Sequence, residues 1–309
     1  MPICKANLSK AAKMIGSDHA RLLARFANQQ DKIESQWRAK FRAFIERINE
    51  RIAEQLAQGK SMDEIMTPTF IKSMGFEDAI FQHFLEVSSS AIRTATHEEE
   101  FISIRKPKRL AKPPKMKVPK SLRDLQQMYD DYRKKGFLPK RQQKIAEQLK
   151  KQYLKKVQDV WRKVSVDFRE GEVPSQEKAR KVMEEASRGA KARAKTIVET
   201  ETTNYYNKVR REYYDQSDAV THYLFLAIRD QATTKWCSDK VSQGKRGRHG
   251  LVYEKGDPLT DRETPAIHWN CRSEMVPLSP FNPRHKELIE NKRMYRANHS
   301  CHPLPKGWE

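Results

Sequence analysis

Apolar residues recur at helical spacing through the first sixty positions: Leu22, Leu23, Phe26, Ile33, Trp37, Phe41, Phe44, Ile45, Ile48, Ile52 and Leu56. From Trp37 onward the steps are threes and fours, which puts these side chains on one face of a helix. Ser17-Asp18 supplies an N-cap and Gly59 stands where a glycine ends such a helix, so the pattern predicts one helix of about forty residues. Its aromatic stripe reads as packing surface. Ser61 to Met66 predicts a short helix interrupted by Pro68. Phe70, Ile71, Met74, Phe76, Ile80, Phe81, Phe84, Leu85, Val87 and Ile92 predict one or two helices folding back on the first, with Glu98, Glu99 and Glu100 as a solvated end.

Helical spacing returns at Ser121, with Leu122, Leu125, Met128, Tyr129 and Tyr132, and ends at Gly136. A further helix starting near Pro139 carries Ile145, Leu149, Tyr153, Val157, Val160 and Trp161 on one side and basic residues elsewhere. Gly171 and Pro174 break it, Ser175 caps the next, and Gly189 is a candidate pause before KARAKTIVETETTNYYNKVRREYYD. Two strands follow. VTHYLFLAIRD, from Val220 to Asp230, has the bulk of a buried strand, and GLVYE spans Gly250 to Glu254. Beyond Pro280 the chain is polar and poor in core residues, and reads as a tail that wraps a neighbour or stays loose. The expected fold is mainly α, with long helices and a small α+β module near the C-terminus. Its regions are a helical 1–104, a linker 105–120, a helical 121–175, the module 176–280 and the tail 281–309.

Charge adds what periodicity cannot. Lys and Arg outnumber Asp and Glu by 61 to 40 in 309 residues, a net charge of +21. An excess of that size points to work beside a polyanion, with nucleic acid first and an acidic protein surface second. Residues 105–120, RKPKRLAKPPKMKVPK, hold eight cations and four prolines. Proline blocks helix and like charges extend the chain. The segment is therefore a solvated spacer or an arm that contacts DNA phosphates or an acidic partner. For the arm, the contact residues are Arg105, Lys106, Lys108, Arg109, Lys112, Lys115, Lys117 and Lys120. No apolar run reaches the roughly 18 residues of a membrane span. The N-terminal MPICKANLSKAAKMIGSDHA lacks the apolar core of a signal peptide, so synthesis in a cytoplasm is expected. In a reducing compartment, Cys4, Cys237, Cys271 and Cys301 do not suggest a disulfide framework. The scattered glycines offer no phosphate-binding loop.

Four segments in the last third carry the chemistry. They are TIVETETTNYYN with Thr200-Glu201 and Asn207, RDQATTKWC from Arg229 to Cys237, HGLVYEKGDP from His249 to Pro258, and TPAIHWNCRSEMVPL from Thr264 to Leu278. Cys237, His268 and Cys271 are candidate soft-metal ligands, His-x-x-Cys being a compact pair, and His249 is a fourth. Zn²⁺ there would pin two strands and a long loop that lack a large core. A Cys237–Cys271 disulfide, two buried thiols, or a metal-free cluster held by hydrogen bonds among Asp230, His268 and Arg272, accounts for the same residues.

In their order and spacing these segments resemble the phage head-morphogenesis family, the Mu F-like minor head proteins, over about residues 176–280. Glu201 falls on the family's helical acid, Asp230 on the strand-end acid, Cys237 on its cysteine, and His268, Cys271 and Arg272 on the closing motif. Two positions depart from the pattern. Gln231 stands where Arg is frequent, and Asp239 and Lys240 stand where a second cysteine is frequent, which weakens any four-cysteine metal site. The resemblance implies a minor capsid component and not an enzyme. It would assemble with the portal protein and with major capsid or scaffolding protein, and contact phage DNA without sequence preference. It would begin in the host cytoplasm and end in the virion, at the portal vertex or capsid interior. The rivals are a nuclease or toxin using a His/Cys metal site, and a zinc-stabilised DNA-binding protein.

Overall fold

A computed structural model describes residues 15–102, 140–165, 173–226, 252–266 and 273–291, with positions 123, 124, 127, 130, 131, 237 and 271 beside them. The elements are α1 (Ser17–Ala57), α2 (Met62–Ile65), α3 (Pro68–Ser73), α4 (Phe76–Ile102), α5 (Lys140–Ser165), α6 (Gln176–Tyr214), β1 (His222–Leu226), β2 (Val252–Glu254), α7 (Pro258–Glu263), β3 (Glu274–Leu278) and α8 (Pro283–Asn291). The fold is mainly α, with a small α+β module toward the C-terminus. No helix among the described residues is long and apolar enough to cross a membrane.

The long helices follow the apolar phase. α1 runs 41 residues, and Gly59 beyond it takes a left-handed φ of +84° that only glycine adopts without strain. Ser61 and Glu64 form a reciprocal capping box that starts α2. Pro68 does more than interrupt: it opens α3 at the first helical turn, where its missing N–H costs nothing. Gly75, at φ +77°, separates α3 from α4.

Four sequence expectations are corrected. Gly189 does not pause α6, which is continuous over 39 residues. A third strand, β3, forms within the closing motif. The tail is not loose at 283–291, where α8 buries His285 and Leu288. Glu98 is not part of a solvated end; it lies in α4 with no exposed surface. The helix expected from Ser121 falls largely outside the described residues.

The chain divides into two compact units. One takes Ser35–Phe84 and Asp131–Val198. Its core is aromatic and aliphatic: Trp37, Phe41, Ile45, Phe76, Phe81, Leu149 and Val157 are all buried. Within it Asn49 of α1 donates to Ser187 of α6 (2.9 Å) and accepts from the Tyr153 hydroxyl of α5 (2.8 Å), so one buried amide ties three helices.

The other unit takes Met1–Glu34, Leu85–Asp130 and Glu199–Glu309, and holds the sheet. Strand order is β2-β1-β3, with β1 antiparallel to both neighbours. Tyr223 faces Tyr253 on one side and Pro277 on the other. Proline is tolerated there because β3 is the sheet's edge in the described residues. Tyr223, Leu224, Phe225, Met275, Val276 and Leu278 are buried, so both faces of this small sheet are covered.

Candidate functional site

The C-terminal half of α6 buries an unusual run of polar side chains: Thr200, Glu201, Thr202, Thr203, Asn204, Asn207 and Arg210. Burial is tolerable only where each polar group finds a partner. Asn204 donates to Glu201 one turn back (3.0 Å), and Gln30 of α1 donates to Thr203 (3.0 Å). Asn207 does the most. Its Nδ2 donates to the Ser273 carbonyl (3.1 Å) and its Oδ1 accepts from the Met275 N–H (2.9 Å). One side-chain amide thus pairs with β3 as a neighbouring strand would, satisfying backbone groups along a sheet edge. Arg211 fixes the same helix to the α7 region through Thr264 (2.9 Å) and Asp261 (2.6 Å).

The Glu98 carboxylate is fully buried in this unit. Arg210 Nη2 and the Tyr214 hydroxyl both donate to its Oε2, and His19 donates to its Oε1 at 2.8 Å. Burial drives the Glu98 carboxyl upward, but the Arg210 charge and the His19 contact overcome it and hold the pKa at about 2. Glu274 also faces Arg210, at 3.4 Å. There burial wins and the pKa is raised, because the guanidinium is engaged more closely by Glu98. Arg210 further lies over the rings of Tyr206 (5.1 Å) and Tyr214 (5.8 Å), so its charge is met by carboxylates and π faces together.

Hydrogen-bond logic fixes the state of two histidines. The Ser279 N–H donates to His285 Nδ1 (3.1 Å), so His285 must carry its proton on Nε2. That Nε2–H donates to His19 Nδ1 (3.2 Å), which leaves the His19 proton on Nε2, where it reaches Glu98. In this arrangement His285 is neutral, and the chain of donors runs toward the carboxylate. A proton added to the His285 Nδ1 breaks its contact with the Ser279 N–H. Burial, reinforced by His19, accordingly lowers the His285 pKa to about 3.

Cys237 and Cys271, 34 positions apart, meet in the same unit with sulfurs 3.9 Å apart, and the Ser273 hydroxyl donates to Cys237 Sγ at 3.2 Å. The disulfide reading is not realised here, since a bridge would need about 2.05 Å. The spacing fits zinc: two thiolates bound tetrahedrally at about 2.3 Å stand roughly 3.8 Å apart. It equally fits two thiols in contact. The other zinc donors, His249 and His268, lie outside the described residues, as do Asp230, Arg272 and the arm residues Arg105, Lys106, Lys108, Arg109, Lys112, Lys115, Lys117 and Lys120. Among the described residues, no group of three or more His, Cys, Asp or Glu is placed to hold a metal.

Sequence reasoning missed the Glu98–Arg210–His19–His285 network, although a signal was present. Glu98 occupies the same helical phase as buried Ala91, Ala95 and Ile102, and Arg210 shares the phase of Thr203, Tyr206 and Tyr214. Charged residues in a core phase mark buried pairing. In comparisons with known proteins, no family model, no curated protein and no solved structure matches the chain.

Two outcomes follow from this geometry. Asn207→Leu keeps the side-chain volume but orphans two backbone groups. It should cost about 2–5 kcal/mol in urea denaturation, since each buried orphan costs about 1–3; a cost below about 1 kcal/mol would show that Asn207 does not seal the strand edge. Acid should also destabilise the chain. His285 has its folded pKa depressed, so the unfolded state binds the extra proton and stability falls as pH drops from about 6.5 toward 3. His83, equally depressed by burial, adds loss in the same window. His285→Asn should flatten the slope of stability against pH by up to about 1.4 kcal/mol per pH unit between pH 6 and 4. An unchanged slope would refute the neutral relay.

Proposed function

We propose that this chain is a minor head protein of a phage, acting in procapsid assembly by binding rather than by catalysis. The observation that carries the reading is the convergence of separated motif segments in one unit. The Thr-Glu helix reaches the closing motif through Asn207 to Ser273 and Met275. Cys237 meets Cys271, and the strand at 222–226 pairs with both the GLVYE strand and the strand inside the closing motif. The resemblance to the Mu F-like family predicts that these four segments form one module, and a chance likeness would not require them to meet.

In this reading the buried network is scaffolding: Glu98, Arg210 and the two histidines have almost no surface and set the shape of a docking module. The portal protein is the first partner, major capsid or scaffolding protein the second, and packaged DNA the third, met through the arm at 105–120. The place of action is the virion, at the portal vertex or the capsid interior. Zinc on Cys237 and Cys271, with His249 and His268, would serve structure by clamping the loop to the sheet.

The test is affinity capture of the tagged chain from cells in which the phage genome that encodes it is being expressed. Portal subunits should be retained through washes and lost with Asn207→Leu, which disturbs the module. Absence of portal subunits from the captured material, at full recovery of the tagged chain, would overturn the reading.

A further inference from the structure

Within the unit formed by Ser35–Phe84 and Asp131–Val198, charge is sorted by element. Residues 35–84 hold seven Lys or Arg against seven Asp or Glu, whereas residues 131–198 hold twenty against nine. The contrast is sharpest on α5, with nine cations and two acids in 26 residues. Where α1 exposes cations it mixes them with acids, as in the Arg42–Glu46 pair at 3.4 Å and in Glu50, Arg51 and Glu54. Neutral mixing is what a merely soluble helix needs.

The α5 cations are not spread around the helix. Lys144, Lys151, Lys155 and Arg162 are all exposed and succeed one another at steps of seven, four and seven. At about 100° per residue, those steps return each side chain to within roughly 20° of one line along the axis. The line lies opposite Ile145, Leu149, Tyr153 and Val157, which are buried. Between the cations the same face shows Gln148 and Gln158, both exposed. Glu147 and Asp159 stand about 60° to either side of the line, so four cations run along about 27 Å of the face with one acid on each flank. Lys150, off the line, pairs with Glu77 at 3.0 Å.

We propose that this face of α5 is a contact surface for the phosphate backbone of duplex DNA, distinct from the arm at 105–120. A duplex carries one negative charge per about 1.7 Å of axis, so the stripe can run beside roughly sixteen phosphates. Lysine, arginine and glutamine are among the donors that contact phosphate. The face carries no aromatic residue on which unpaired bases would stack, which argues against a single-strand site. It carries no apolar anchor either, and a protein interface would need one at its centre. The inference does not depend on the head-assembly reading; it requires only that the chain meets duplex DNA.

The experiment measures binding of the full chain to a random-sequence duplex by fluorescence anisotropy across a salt series. It compares the parent with K144Q/K151Q/K155Q/R162Q and with a second variant in which the eight arm cations are Gln. All four α5 positions are exposed, and unchanged thermal melting of the variant confirms that its fold is kept. The α5 variant should bind roughly tenfold more weakly or worse at moderate salt, and lose about three to four from the slope of log affinity against log salt, near 0.9 per phosphate contact. The arm variant should retain salt-dependent binding that the α5 changes then remove.

Equal affinity and slope for parent and α5 variant would overturn the proposal. So would failure of the parent to bind duplex, or binding to polyglutamate in place of duplex, which would indicate an acidic protein partner. Capture of portal subunits by the α5 variant reads the assembly role separately, so either idea can fail alone.

Discussion

A carboxylate with no access to water dictates the architecture around it. An ionised Glu98 in the protein interior is tolerable only with a cation and enough donors to replace its hydration. Arg210 and Tyr214 of α6 and His19 of α1 supply them. His19 is in turn oriented by His285 of α8, whose own tautomer is set by the Ser279 backbone. Four segments far apart in sequence are thus positioned by one charge. Removing a single partner leaves the remainder of the network uncompensated, which is why buried pairs are costly to break even when they add little net stability.

The same helix that holds Arg210 also organises the sheet. One face of α6 reaches the carboxylate through Arg210 and Tyr214, and its Asn207 occupies the edge of β3. Glu274, the first residue of β3, closes the circuit by facing Arg210. Strand, helix and charge network are therefore one construction. The thiol pair joins it through Ser273, whose hydroxyl meets Cys237 and whose carbonyl meets Asn207. The central charged and imidazole groups of this construction, Glu98, Arg210, His19 and His285, are thus enclosed together.

Much of this was legible in the chain. Period-3.6 apolar spacing gives α1 and α5 their extents, and bulky apolar runs mark β1 and β2, because in each case burial of one face decides the structure. The encounter of Cys237 with Cys271 was readable from ligand chemistry and from the resemblance, and not from periodicity, since nothing local links residues 34 apart. β3 was hidden because its five residues are all buried and include Glu274 and Pro277, so neither alternation nor composition marks a strand. α8 was hidden because it buries little besides Leu288 and His285. Glu98 was misjudged because its charge outweighed its phase: three consecutive glutamates read as solvated, while the helix places only the first of them against Arg210.

The most direct measurement of this dependence is the unfolding free energy of Glu98→Gln against the parent at neutral pH. The substitution keeps the shape and removes the charge that Arg210, His19 and Tyr214 converge on. A loss of about 3–5 kcal/mol is expected for breaking a buried ion pair from one side. Stability within about 1 kcal/mol of the parent would mean that the carboxylate charge does not hold the unit together.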